Sequence, residues 1–177
     1  VSLFDVALHQ LTYPGNWYLN EGHRTERLPR SSHPSAVPVQ LYRSRDGWIF
    51  IMCMTQKFWL SLCEALGRND LLADPRFPDP NTRAKNRAEM TDELDPTFRT
   101  RTTAEWLARL NGLLPAAPVN NLDRAFAEPP VAEREMIVEY DHPDVGRVRL
   151  PGNPIKMSGV EGTISKPAPR LGEHTDS

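Results

Sequence analysis

Seventeen prolines in a chain of 177 residues set the tightest limit on what it can fold into. Each one removes a backbone N–H and fixes φ, so no long helix or central strand can run through a cluster of them. They gather at 29–38, 75–80, 115–118, 129–130, 151–154 and 167–169, with apolar periodic segments between the clusters. This is punctuation between short elements, not a polyproline linker. The chain is long enough for one sizeable core, or for a small domain with attached segments. No internal repeat is visible.

Between the prolines the patterns change period. Residues 2–19 carry Leu3, Val6, Ala7 and Leu11 at helical spacing, with a break expected near Pro14-Gly15 and no obvious cap at the start. Residues 20–36 are polar and read as a loop. Val37–Tyr42 and Trp48–Met54 are rich in β-branched and aromatic residues and flank Asp46-Gly47, a hairpin signature. Thr55 can cap a helix over 56–66 whose stripe is Phe58, Trp59, Leu62, Cys63 and Leu66, with Gly67 closing it. A second helix is expected over 82–94, ended or kinked by Pro96. Thr102 and Glu105 form a capping box before Trp106, Leu107 and Leu110. A short helix over 121–127 and strands at Met136–Tyr140 and Arg147–Leu150 follow, with irregular chain beyond Pro151.

Several function classes drop out early. Lys and Arg number 21 against 23 Asp and Glu, a net charge of −2, which does not make a nucleic-acid surface. No run of eighteen apolar residues is present, so no membrane partner is expected. The start lacks a basic signal-peptide region, and two cysteines, Cys53 and Cys63, suit a reducing, cytoplasmic setting. His9, His23, His33, His142 and His174 form neither HxxxH nor HExxH, so no metal is expected. G-x-S-x-G, Walker and G-x-G-x-x-G patterns are absent. The candidate for chemistry is the loop Arg30-Ser31-Ser32-His33, which places a cation, two hydroxyls and an imidazole just before a strand. Such groups can bind a carboxylate or a thioester oxygen; the same composition also suits a solvated linker. Trp48, Trp59 and Trp106 lie within strand or helix stripes and read as core.

An ordered set of short motifs runs through nearly the whole chain. It comprises the opening Val1–Ala7, His33-Pro34, Asp46-Gly47, Leu66-Gly67, Asp74-Pro75-Arg76-Phe77, Arg83, Asn86-Arg87 and Glu105-Trp106. It continues with Ala117-Pro118-Val119, His142-Pro143, Gly146 and Gly172-Glu173-His174-Thr175. In this order they resemble the class III, or CaiB/BaiF-type, coenzyme A transferases, of which α-methylacyl-CoA racemases are relatives.

The resemblance implies an α/β architecture: a small α+β domain of antiparallel hairpins and packed helices, flanked by pieces of a Rossmann-like large domain. On that pattern residues 1–35 are helix and linker of the large domain, 36–120 the small domain, and 121–177 the return segment. It further implies an interlocked homodimer, with an acyl-CoA and a carboxylic acid as substrates and coenzyme A as the carried group. The family's nucleophile is an aspartate upstream of the region matching Val1, so no catalytic residue is expected in this chain. Arg30, Ser31, Ser32 and His33 are then candidates for positioning substrate. The glycine-rich loop of formyl-CoA transferase is replaced here by Ser31-Ser32-His33-Pro34-Ser35, so the resemblance does not extend to oxalate/formate specificity. A racemase and a non-catalytic interaction domain stand as alternatives.

Overall fold

The structure is a computed structural model that describes residues 2–159, 167–173 and 175. Val1 and His174, named among the motifs above, lie outside the described residues. The chain divides into two compact units, Val1–Val119 and Asn120–Ser177. Both are mixed α/β, each with one small antiparallel sheet.

The core of the first unit is built on the expected hairpin. Strands β1 (Val39–Arg43) and β2 (Trp48–Met52) pair antiparallel with Leu41 opposite Phe50. A third strand, β3 (Ala116–Pro118), joins the other edge of β2. Because side chains alternate along a strand, Gln40 and Tyr42 share a face with Ile49 and Ile51, and all four are buried. Asp46 shapes the turn and also reaches across it: its carboxylate accepts from the backbone N–H of Thr103 at 2.8 Å. Those hydrogen bonds hold the Asp46 carboxyl below the usual carboxylate range.

Helices cover that face. In α3 (Gln56–Leu66) the Thr55 hydroxyl accepts from Phe58 N at 3.2 Å, and Gly67 ends the helix in the left-handed region at φ +71°. Trp59, Leu62, Cys63 and Leu66 turn inward. Burial pushes the Cys53 and Cys63 thiols up to about 12, so both behave as small apolar groups. The segment expected as one helix over 82–94 is two, α4 (Pro80–Lys85) and α5 (Arg87–Phe98), separated at Asn86. Asp79 caps the first through Asn81 N and Thr82 N. Pro96 does not end the helix, and α5 continues through it to Phe98: a missing N–H in the last turn forfeits one bond, and the buried Phe98 ring offsets that loss. Phe98 stacks on Tyr42 with centroids 4.5 Å apart and meets Trp106 edge-on at 5.4 Å.

Helix α6 (Thr103–Leu110) begins with the capping box in full: Thr102 Oγ1 accepts from Glu105 N, and Glu105 accepts from Thr102 N at 2.7 Å. Thr102→Ala is expected to lower stability by about 1 kcal/mol. Urea unfolding followed by circular dichroism checks this, and an unchanged midpoint would mean the cap is dispensable.

Two helices open the chain, α1 (Leu3–His9) and α2 (Thr12–Glu21). The break falls at Gln10-Leu11, ahead of Pro14-Gly15. Pro14 sits in the first turn of α2, where its missing N–H would have had no intrahelical partner anyway. Ser2 does cap α1, accepting from Asp5 N at 3.4 Å. Neither helix contributes a buried residue, and Leu3, Phe4 and Leu19 are 88%, 69% and 79% exposed.

The second unit holds two short helices, α7 (Leu122–Phe126) and α8 (Pro129–Glu133), then a hairpin of β4 (Ile137–His142) and β5 (Gly146–Pro151). Helix α8 was not foreseen; its paired prolines start it, where proline is best tolerated. His142 Nδ1 accepts from Asp144 N, and Arg170 grips the Asp144 carboxylate through two 2.7 Å hydrogen bonds. Gly152 passes so close to Glu135 that a Cβ there would lie 2.9 Å from its carbonyl oxygen. Beyond Pro151 the described residues form neither helix nor strand.

Candidate functional site

The loop from Leu28 to Ala36 is bound into the first unit by its own side chains. Pro29–Ser31 makes a single 3₁₀ turn in which Arg30 and Ser31 both adopt positive φ, +58° and +53°. Two successive non-glycine residues there cost roughly 1–3 kcal/mol each and persist only where surrounding contacts enforce them. The contacts are specific. Arg30 Nη1 donates to Asp95 Oδ1 on α5, and Asp95 also receives Arg99 Nε at 2.9 Å. Ser32 Oγ lies 2.8 Å from Gln40 Oε1, Gln40 Nε2 donates to Thr91 Oγ1 at 2.9 Å, and Thr91 donates to Arg87 O at 2.8 Å. His33 N donates to Val39 O at 2.9 Å, joining the loop to β1.

Charge follows from these contacts. Burial alone would raise the Asp95 carboxyl, but the hydrogen bonds from Arg30 and Arg99 outweigh it and hold Asp95 below the usual range. The pairing raises Arg30 in turn. Arg87 is opposed by burial: its Nη2 donates to Pro34 O at 3.1 Å, while Nη1 is buried without a partner among the described residues. Tyr42 Oη is likewise buried and unpartnered, and burial pushes its ionisation up. His33 is shifted down, chiefly by burial and then by the Arg87 guanidinium.

The four residues singled out from the sequence therefore lie together but differ in what they can do. Arg30 and Ser32 are spent on holding the loop. Ser31 is exposed, and His33 is half-buried. Gln40, Thr91, Arg87 and Asp95 were missed. Gln40 had a readable signal, since strand parity aims it into the core, where a lone amide needs partners. Among the described residues no three His, Cys, Asp or Glu side chains converge as metal ligands. No helix among them is long and apolar enough to cross a membrane.

The family model described as CoA-transferase family III matches residues 1–175. This chain belongs to that family. It is 33% identical over 177 residues to an acyl-CoA transferase of Fusarium pseudograminearum, covering 98% of this chain and 39% of that protein. It is 30% identical over 155 residues to the succinyl-CoA:glutarate CoA-transferase of Homo sapiens, covering 87% and 35%. Among solved structures, Rv3272 of Mycobacterium tuberculosis superposes with a TM-score of 0.79 at 27% identity, over 99% of this chain and 46% of that one. The chain thus spans less than half the length of these relatives.

Proposed function

We propose that this chain forms the C-terminal part of a transferase that moves coenzyme A between an acyl-CoA and a carboxylic acid. The observation that carries this reading is the family match across residues 1–175. The similarity to a succinyl-CoA:glutarate CoA-transferase favours dicarboxylic acids as the exchanged partners and transfer over α-carbon racemisation.

In this reading the covalent work falls to an aspartate in the N-terminal part of the complete protein. Its carboxylate attacks the donor thioester and expels CoA thiolate, leaving a mixed anhydride. The thiolate then attacks the aspartyl carbonyl, releasing the donor acid and leaving an aspartyl-CoA thioester. The acceptor carboxylate reverses the two steps and departs as the new acyl-CoA, with the aspartate regenerated. The carboxylate beside the loop, Asp95, is committed to two arginines and is a poor nucleophile. The loop instead presents Ser31 and His33 to substrate, with Arg30 and Ser32 holding it in place. The complete protein would act as an interlocked homodimer in the cytoplasm.

The test is to supply succinyl-CoA and labelled glutarate to the complete protein and to the 177-residue chain separately. Labelled glutaryl-CoA is expected from the complete protein and not from the chain. Exchange by the chain alone would overturn the placement of the nucleophile. In a parallel assay with a chiral 2-methylacyl-CoA, loss of α-carbon stereochemistry without CoA exchange would replace transfer by racemisation.

A further inference from the structure

The imidazole of His33 is pinned so that one nitrogen is consumed and the other is presented. Nδ1 faces two backbone donors, Ala36 N at 3.0 Å and Ser35 N at 3.2 Å, with Ser35 Oγ at 3.4 Å. An acceptor that already receives two N–H groups cannot also carry a proton, so the neutral ring bears its hydrogen on Nε2. Adding a second proton would set an Nδ1–H against those two donors; burial and the nearby positive charge of Arg87 oppose it as well. Tyr13 of α2 lies against the ring, centroids 5.3 Å apart and planes 24° from parallel, and fixes its orientation. Arg87 of α5 fixes the next residue through Pro34 O. Nε2 meets no hydrogen-bonding group among the described residues.

We infer that His33 is a tautomer-locked hydrogen-bond donor whose Nε2–H binds an oxygen of the substrate carboxylate or thioester. The inference rests on the transfer reading given above and gives this residue its chemical role there. The reaction itself demands a donor. Exchanging CoA between two carboxylates moves a thiolate and an acyl group and nowhere requires a proton to be taken or given. What changes is negative charge on oxygen, which a fixed N–H stabilises. A general base would need a free ring lone pair. The lock leaves none: Nδ1 is spent on the backbone, and Nε2 carries the hydrogen. Racemisation also develops charge on the thioester oxygen, as an enolate, but it needs a separate base for the α-proton, and this locked ring cannot be that base.

Two measurements decide it. The first is a long-range ¹⁵N–¹H spectrum of the histidine-labelled chain, in which His33 is expected to show a pyridine-like Nδ1 and a pyrrole-like Nε2. The opposite tautomer would overturn the lock. The second compares three variants in the complete protein. His33→Gln puts an N–H near the position of Nε2. His33→Asn keeps an oxygen to accept from Ala36 N, but its own N–H stops short. His33→Ala supplies neither. Relative to the wild type, Asn and Ala variants are expected to lose tenfold or more in kcat/KM, about 1.4 kcal/mol, while Gln recovers most of the loss. The Asn variant is also expected to melt like the wild type. A Gln variant as impaired as Ala would favour a base and sink the donor. If the wild-type complete protein exchanges CoA and all three variants match it, the donor falls and the transfer reading survives. If the wild type exchanges none, both fall.

Discussion

Trp106→Ala is expected to cost about 3–5 kcal/mol of unfolding free energy, the usual range for losing a large buried aromatic. Trp106 is only 1% exposed and sits at the join of α5 and α6. Its ring meets Phe98 edge-on at 5.4 Å, and Phe98 in turn stacks on Tyr42 of the sheet, so the three rings connect both helices to β1. Its Nε1 donates to Phe98 O at 2.7 Å. That carbonyl belongs to the last turn of α5, where no intrahelical donor is available, so truncation strands a buried acceptor as well as opening a cavity. Trp106→Phe keeps most of the apolar area and should fall between wild type and alanine. Guanidinium unfolding monitored by far-ultraviolet circular dichroism reads both variants. A loss under about 1 kcal/mol for the alanine variant would mean the site collapses freely around the gap.

Arg30→Ala and Asp95→Ala should each remove about 1.5–3 kcal/mol, the range for hydrogen bonds between charged groups. The Asp95 side chain is 13% exposed and that of Arg30 28%, so solvent screens the pair only in part. The larger effect is expected at Asp95, whose removal strands Arg30 and Arg99 together. A double-mutant cycle should return a coupling of roughly 1 kcal/mol or more. Acid supplies an independent check. Because the folded state holds the Asp95 carboxyl below its ordinary 3.8, the unfolded chain binds more protons between the two values, and stability falls as pH drops through that window. The pair's contribution is fully present above the ordinary value. The gap between wild type and Arg30→Ala should therefore be constant near neutrality and close in strong acid. A gap that persists at the lowest pH would mean that Arg30 acts through packing.

The elements that could be read in the sequence were those with local chemistry. Asp46-Gly47 between two β-rich runs, Thr55 and Gly67 around an amphipathic stripe, and Thr102 with Glu105 all describe interactions within a few residues, and the structure shows each of them. Misreadings came where distant packing outweighs local propensity. Pro96 does not stop α5 because Phe98, two residues on, is drawn into the aromatic stack. Asn86 splits a segment whose composition looks continuous; its side chain donates to Arg76 O at 2.8 Å, ten residues back. The buried Arg83 gave no warning either. It lies over Trp59 at 5.1 Å and donates to the carbonyls of Val37 and Phe77, partners that only the folded chain assembles. At the candidate site the polar loop was visible. Its division into anchors and presented groups was not, because that depends on Asp95 and Gln40, one on a helix and one on a strand.

The three residues of β3 have a consequence for the order of events on the ribosome. Ile51 and Ala116 are partners in the sheet but are separated by all of α3 through α6. Until Ala116–Pro118 has left the exit tunnel, one edge of β2 is an open row of backbone donors and acceptors beside the side chains of Ile49 and Ile51. The β1–β2 hairpin can form early because its closure is local, yet it must wait for the last strand of its own sheet. In that interval the nascent hairpin is a template for any passing strand, and holding it clear of neighbours is a task for the chaperones that meet chains during synthesis.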